Sequence, residues 1–460
     1  EAGFMARKTS QPTALPQERA LLIGVDLPGT NHWAMTDSVA ELARLAQTDG
    51  AQVVGELTQR LDRPVPKTFI GSGKTRELVD LVHALDVDVV IFDDELTPSQ
   101  QSNIEKAVGE PVKVIDRTAL ILDIFGNHAK TREGRLQVQL AQLQYVLPRL
   151  RGMWSHLMGE QTRGGIGSRF GQGESQLEVD RRLVRDRISK LREELKRLAQ
   201  RREVQSKARW DSGVYRVALA GYTNAGKSTL LNALTDSDVY AKDELFATLD
   251  PTTRALDLAE GRKITITDTV GFIQKLPTTL VVAFKSTLAE VAAADLIIIV
   301  ADASDPHWPA QVASVRDTLE QIDAGSITNL LCLNKIDELS AAEKDTLRIM
   351  HPQALQVSAL TGQGLPGLLH EIATIASEND CTVTARIPYE KGLLMKMVHE
   401  RGQVLRETYE DGGLLITAKV PVRLAGTLAP YRVDGDNLES KEDSESEPDT
   451  ERNVSESPVT

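Results

Sequence analysis

Gly221-Tyr222-Thr223-Asn224-Ala225-Gly226-Lys227-Ser228 satisfies the pattern G-x4-G-K-[ST] at every required position. An apolar run, Tyr215 to Ala220, precedes it and a helical stretch, Thr229 to Leu234, follows. That strand–turn–helix setting is the one in which such a loop holds phosphate. The glycines let backbone N–H groups curl round a β-phosphate, and the helix N-terminus adds partial positive charge. Lys227 would reach the β- and γ-phosphates, and Ser228 would offer its hydroxyl to Mg²⁺. Gly71-Ser72-Gly73-Lys74-Thr75 matches only the end of this pattern, because Thr68 stands where the first glycine is needed. It is read as a glycine-eased helix start.

Further motifs follow in order. Asp268-Thr269-Val270-Gly271 comes after the strand-like Ile264 to Thr267. A D-x-x-G there places the carboxylate near Mg²⁺ and the Gly271 N–H on a γ-phosphate. In Asn334-Lys335-Ile336-Asp337 the Asp337 carboxylate can accept from both N1–H and N2–H of guanine. Adenine lacks that donor pair and would leave a buried carboxylate unpaired. Asn334 can bridge loops, and the Lys335 stem can cover the base. Ser358-Ala359-Leu360 stands where a third base-side loop would aim a backbone N–H at O6. Together the motifs point to GTP. Between the first two motifs, Phe246-Ala247-Thr248-Leu249-Asp250-Pro251-Thr252-Thr253 should contain a threonine that meets Mg²⁺ only in the triphosphate state. Spacing leaves Thr248, Thr252 and Thr253 open. After the D-x-x-G stands Phe272, where other GTPases place a glutamine that orients the attacking water. One reading is a slow intrinsic hydrolysis that a partner assists, the other that Phe272 packs while another group acts, and the two are compatible. Arg254, Lys275 and Lys285, near these segments, read as solvated surface.

These motifs need a frame of alternating strands and helices, and the chain supplies two. The fold class is a multidomain α/β protein: an N-terminal α/β domain, an antiparallel helical hairpin, a phosphate-loop GTPase domain and a small α+β C-terminal domain. Expected boundaries are a disordered leader at 1–17, then 18–127, 128–212, 213–378 and 379–433, with an acidic disordered tail at 434–460. In the first domain Leu21 to Val25, Val53 to Leu57, Val87 to Phe92 and Val112 to Ile115 read as strands. Thr36 to Gln47 and Lys74 to Leu85 read as helices. Leu136, Leu140, Leu143, Leu147 and Leu150 repeat at heptad spacing, as do Val184, Ile188, Leu191, Leu195 and Leu198. Two such seams predict a hairpin, with the glycine-rich segment between them as an exposed tip. Near the end of the chain, Gln403 to Tyr409 and Leu414 to Val420 flank Asp411-Gly412-Gly413 as a β-hairpin.

The chain has 460 residues, 41% hydrophobic and 26% charged, which excludes a fibrous or wholly disordered protein. No apolar run approaches the ~20 residues of a membrane span, and Met5 is followed by Arg7, Lys8 and polar residues rather than a signal-peptide segment. Cys332 and Cys381 supply neither a disulfide framework nor a metal cluster. A cytoplasmic monomer is expected. The formal charge of −13 is uneven, because the tail carries ten Asp/Glu against Lys441 and Arg452. Glu178 to Trp210 carries twelve Lys/Arg against six Asp/Glu. A basic arm whose tip bears Arg163 and Arg169 suits RNA phosphate.

The motifs, taken with their surroundings, resemble the HflX family of translation-associated GTPases. Val114-Ile115-Asp116-Arg117-Thr118 with Ile121-Leu122-Asp123-Ile124-Phe125 resembles its junction after the first domain. Gly164-Gly165-Ile166-Gly167, Gly173-Glu174-Ser175-Gln176-Leu177-Glu178 and Asp180-Arg181-Arg182 resemble its glycine-rich loop. Phe246 to Pro251 and Asp268 to Phe272 resemble its switches. The family's loop usually reads G-G-x-G-x-R-G-P-G-E, whereas Arg169-Phe170-Gly171-Gln172-Gly173-Glu174 has one residue more and no proline. The resemblance covers roughly Ala20 to Ala376 and, less sharply, the chain as far as Tyr431. It makes Thr248 the preferred Mg²⁺ threonine, with Phe246, Ala247, Leu249 and Asp250 near nucleotide. Lys227, Thr248 and Gly271 then carry the catalytic roles. It implies GTP hydrolysis coupled to the large ribosomal subunit and its rRNA, including the splitting or rescue of stalled ribosomes under stress. The alternative is a GTPase timer for RNA assembly or modification, or for a soluble protein partner.

Overall fold

The computed structural model describes residues 17–28, 34–150, 173–210, 214–235, 246, 251–258, 262–275, 290–378 and 380–433. These divide into two units: the first lies within Glu1–Trp210, Arg216–Leu256 and Thr265–Leu368, the second within Asp211–Tyr215, Asp257–Ile264 and Leu369–Thr460.

In the first unit β1 (Arg19–Asp26), β2 (Gln52–Arg60), β3 (Val89–Phe92) and β4 (Lys113–Asp116) form a parallel sheet in the order β2-β1-β3-β4. A parallel sheet is covered on both faces, so its strands are apolar on both. On β1, Ala20 and Leu22 pack with Val39, Leu42 and Leu45 of α1 (Met35–Thr48) and with Leu120, Ile121 and Ile124 of α4 (Arg117–His128). The alternate residues Leu21, Ile23 and Val25 face Leu78 and Val82 of α2 (Ser72–Ala84) and Ile104 of α3 (Pro98–Val108). The helices α3 and α4 have no counterpart in the sequence reading. The signals were present as local chemistry: Thr97 and Gln100 make a reciprocal capping box with Pro98 in the first turn, and the Asp116 carboxylate caps α4.

The helices α5 (Arg132–Val146) and α6 (Gly173–Trp210) share a core of Leu140, Ile188 and Leu191. Leu136, Leu143, Val184 and Leu195 pack at its edge, which is the expected heptad seam. Arg163 and Arg169 lie outside the described residues.

A six-stranded sheet follows in the order β10-β9-β8-β5-β7-β6. Its strands are β5 (Tyr215–Gly221), β6 (Thr252–Asp257), β7 (Lys263–Asp268), β8 (Leu296–Asp302), β9 (Asn329–Asn334) and β10 (Leu355–Gln356). The run Leu296 to Ala301 is buried throughout, as a central strand requires. Helices α7 (Lys227–Thr235), α8 (Trp308–Gln321), α9 (Ala341–Met350) and α10 (Leu365–Ser377) accompany this sheet in chain order.

The second unit is built on β11 (Asp380–Ile387), β12 (Gln403–Glu410) and β13 (Gly413–Pro421), antiparallel in the order β11-β13-β12. Leu414, Ile416, Ala418 and Val420 alternate inward and pack with Val398 of α11 (Gly392–Arg401) and Leu424 of α12 (Val422–Leu428). Within the same unit Arg262 donates to Asp380 at 2.8 Å and stands over the Tyr215 ring. Among the described residues no helix is long and apolar enough to cross a membrane.

Candidate functional site

The loop 221–228 runs from the end of β5 into α7. Gly226 sits at φ +87°, and a Cβ there would lie 2.3 Å from Asn334 Nδ2, so only glycine fits. Lys227 is buried, and its ammonium donates to Gly221 O at 3.1 Å and Tyr222 O at 2.9 Å. Burial pushes its pKa down to about 8, with Asp268 opposing the shift. The next residue, Ser228, donates its hydroxyl to Asp268 Oδ2 at 2.6 Å, and that carboxylate is fully buried.

From Asp268 the chain turns over the lysine. Thr269 ties the turn to β5 through Leu219 O at 2.6 Å. At Gly271 a Cβ would come within 2.8 Å of Thr223 Cγ2 and 3.2 Å of Lys227 Nζ, so a side chain is excluded there. Phe272 then pairs with the loop: its N–H donates to Gly221 O at 3.0 Å, and its carbonyl accepts from Thr223 N–H at 2.8 Å. The Phe272 ring is 1% exposed, as befits a packing residue, and Val270 and Ile336 also bury their side chains in this core.

At the other end of the loop, Asn334 Nδ2 donates to Ala225 O and Asn334 Oδ1 accepts from Ala359 N–H, both at 2.9 Å. One side chain thus joins three segments. The Ala359 N–H is thereby engaged, and the Ser358 N–H is bound to Gln363 O, so the expected donation from 358–360 to a base does not come from these two. Leu360 is 79% exposed. Lys335 adopts φ +61°, and Asp337 lies in the short helical turn Ile336–Glu338.

Other expected residues are placed differently. The Phe246 ring turns into the core, edge-on to Phe125 with centroids 4.6 Å apart, which leaves its backbone for any nucleotide contact. Thr252 and Thr253 belong to β6, where the Thr253 hydroxyl shares a hydrogen bond with Thr267 at 2.9 Å. Ala247, Thr248, Leu249, Asp250 and Lys285 lie outside the described residues. Lys275 is not solvated surface: its ammonium lies 2.6 Å from Asp93 Oδ2 and 2.6 Å from Asp94 Oδ1.

That contact belongs to a buried charge cluster that no motif announces. Arg117, at the start of α4, donates to Asp93 Oδ1 and Glu41 Oε2, each at 2.6 Å, and is 2% exposed. Ser38 donates to Asp93 at 2.7 Å. The Tyr222 hydroxyl donates to Glu41 Oε1 at 2.5 Å and accepts from Gln274 N–H at 2.7 Å. The cluster therefore connects the carboxyl ends of the first sheet to the phosphate loop and to the turn after Gly271. Burial alone would raise the Asp93 pKa, but Arg117 and Lys275 hold it below the ordinary carboxylate value. Burial raises that of Tyr222, with Glu41 adding to it.

Family models match in three consecutive stretches: "GTP-binding GTPase N-terminal" over residues 36–126, "GTP-binding GTPase Middle Region" over 128–209, and "50S ribosome-binding GTPase" over 216–335. The GTPase HflX of Magnetococcus marinus is 41% identical over 408 residues, covering 88% of this chain and 94% of its own. The chain belongs to the GTPase HflX family. The HflX of Caldanaerobacter subterraneus is 43% identical over 418 residues, covering 91% of this chain and 94% of its own. That of Escherichia coli is 41% identical over 389 residues, covering 84% and 90%. As an HflX-family member the chain is a GTP-binding enzyme that hydrolyses GTP.

Proposed function

We propose that this GTPase, using Mg²⁺, binds the large ribosomal subunit in its GTP form and hydrolyses GTP there, splitting or rescuing stalled ribosomes. In this reading it acts as a cytoplasmic monomer. The observation that carries the nucleotide part is the meeting of Lys227, the Ser228–Asp268 pair, Gly271 and Asn334 at the ends of β5, β7 and β9. Backbone N–H groups at the 226–228 end of the loop meet the phosphates, Lys227 bridges the β- and γ-phosphates, and the Gly271 N–H meets the γ-phosphate. Thr248 would help hold Mg²⁺ in the triphosphate state and, with Lys227 and Gly271, would serve hydrolysis. Asn334, Lys335, Asp337 and the 358–360 loop hold guanine.

The donor set suits Mg²⁺. A serine hydroxyl and a buried carboxylate 2.6 Å apart offer two hard oxygens. Among the described residues no group of three or more His, Cys, Asp or Glu could hold a metal by itself. A cation here would need further oxygens from phosphate and water, which Mg²⁺ accepts. When bound, it neutralises developing charge between the β- and γ-phosphates.

The ribosomal part is supported by the "50S ribosome-binding GTPase" family match and by the hairpin. The helix α6 has a net charge of +6 over Glu178 to Trp210, and Arg163 and Arg169 at the tip are proposed to meet rRNA phosphate. Burial of Phe272 leaves no side chain there to orient the attacking water, which suits hydrolysis completed on the ribosome. Sedimentation with purified large subunits tests this: the protein should pellet with them in a non-hydrolysable GTP analogue and remain in the supernatant in GDP. Equal behaviour in both nucleotides would overturn it, and capture of a free RNA or a soluble protein instead would favour a timer.

A further inference from the structure

We infer that Asp302 is a positioning residue for guanine nucleotide, acting through Lys335; the inference rests on the base site proposed above. Strands β8 and β9 pair in parallel with Asp302 opposite Asn334, and Ala303 N–H donates to Asn334 O at 2.8 Å. The last residue of β8 is therefore fixed beside the first residue of the base motif. Its carboxylate has two assigned oxygens. Oδ1 accepts from the Ser304 N–H at 3.0 Å and the Ser304 hydroxyl at 2.6 Å. Oδ2 lies 2.6 Å from Lys335 Nζ.

This arrangement is built rather than incidental. Ser304 fixes the rotamer of the carboxylate, and the side chains of Asp302 and Lys335 are only 17% and 26% exposed. Lys335 leaves β9 in the left-handed region, a conformation that a lysine does not adopt without support from its surroundings. Its aliphatic stem is held at both ends, by the backbone after Asn334 and by Asp302 at the ammonium. A lysine stem serves as an apolar wall for a purine face only while it stays extended. Fixing it before binding removes the side-chain entropy that ordering on the nucleotide would otherwise cost. Asp337 reads the base edge and sets which purine binds. Asp302 acts on the base plane and sets how long any accepted purine stays.

Release of mant-labelled GDP from the full chain, followed in Asp302→Ala, Asp302→Asn and Ser304→Ala, tests this. Asp302→Ala should release nucleotide about threefold to tenfold faster, and Asp302→Asn by a smaller factor, because an amide oxygen still accepts from the ammonium but without the opposite charge. Ser304→Ala should give a smaller change in the same direction. The loss should fall on KM rather than kcat, and the melting temperature of the nucleotide-free variants should match the parent. Release from Asp302→Ala within twofold of the parent would overturn the assignment. So would faster release accompanied by a lower nucleotide-free melting temperature, which would mark Asp302 as part of the scaffold. Asp337→Asn separates this from the underlying base site: it should shift preference from GTP to XTP, whose 2-oxo group can accept from the new amide. If that shift is absent, the base site itself is wrong.

Discussion

Replacing Lys227 with alanine should lower GTP turnover by about a hundredfold or more, equivalent to ~3 kcal/mol of transition-state stabilisation. The ammonium is buried, held by Gly221 O and Tyr222 O, and lies beneath the Gly271 turn, so alanine removes the positive charge from that position. Binding of GTP should weaken as well, because the β-phosphate loses a charge-assisted partner. The same side chain imposes a pH dependence on the parent. Burial lowers its free-state pKa to about 8, and a bound polyphosphate raises it, so the protonated form binds. Below pH 8 the lysine is already charged and affinity is flat. Above it each binding event must recover a proton, and affinity falls by up to about tenfold per pH unit. Titration calorimetry with GDP from pH 7 to 9.5 should show this fall in the parent and none in the alanine variant. Turnover of the variant within threefold of the parent would contradict the assignment.

Arg117→Ala should cost about 3–5 kcal/mol of stability, because it leaves the buried Glu41 carboxylate without its cation and Asp93 with Lys275 alone. That is a large share of the 5–15 kcal/mol typical of a folded domain. Arg117→Lys should recover only part, since a single ammonium cannot fork to both carboxylates as a guanidinium does. Acid should reveal the same cluster. The Asp93 pKa is depressed in the folded state, so its contribution is present above the ordinary carboxylate range and is lost as pH falls through that lowered value. Urea unfolding of the parent and both variants measures these losses. A loss below ~1 kcal/mol for Arg117→Ala would show that the cluster is not what joins the first sheet to the phosphate loop.

The two parts of the site differ in how far the sequence discloses them. The phosphate loop, the D-x-x-G turn and the N-K-x-D segment are contiguous, and their chemistry depends on backbone N–H groups and glycine conformations that are written locally. The hairpin seam is similarly local, since its period of seven shows within one helix. The cluster of Glu41, Asp93, Arg117, Tyr222 and Lys275 has no such signature. Tyr222 and Glu41 are 181 residues apart, and Glu41 alone reads as one more acid on an amphipathic helix. Lys275 reads as surface until Asp93 and Asp94 are known to follow the end of β3 beside it. In a parallel sheet the carboxyl ends of the strands form the crevice where ligands gather. Here side chains from the phosphate-loop half of the chain meet that edge. The helix α3 is hard to read for a different reason: its residues are mostly polar, so periodicity is weak, and only its cap and proline mark it.

Stimulation of this GTPase by the ribosome should be visible in GTP turnover measured with and without purified large ribosomal subunits. Lys227→Ala and a double Arg163→Ala/Arg169→Ala variant provide the controls. A ribosome-activated switch should show strong stimulation in the parent, none in the Lys227 variant, and a weakened response in the tip variant that falls further as salt rises. Turnover unchanged by large subunits at any salt would contradict it and leave a GTPase whose partner is not the ribosome.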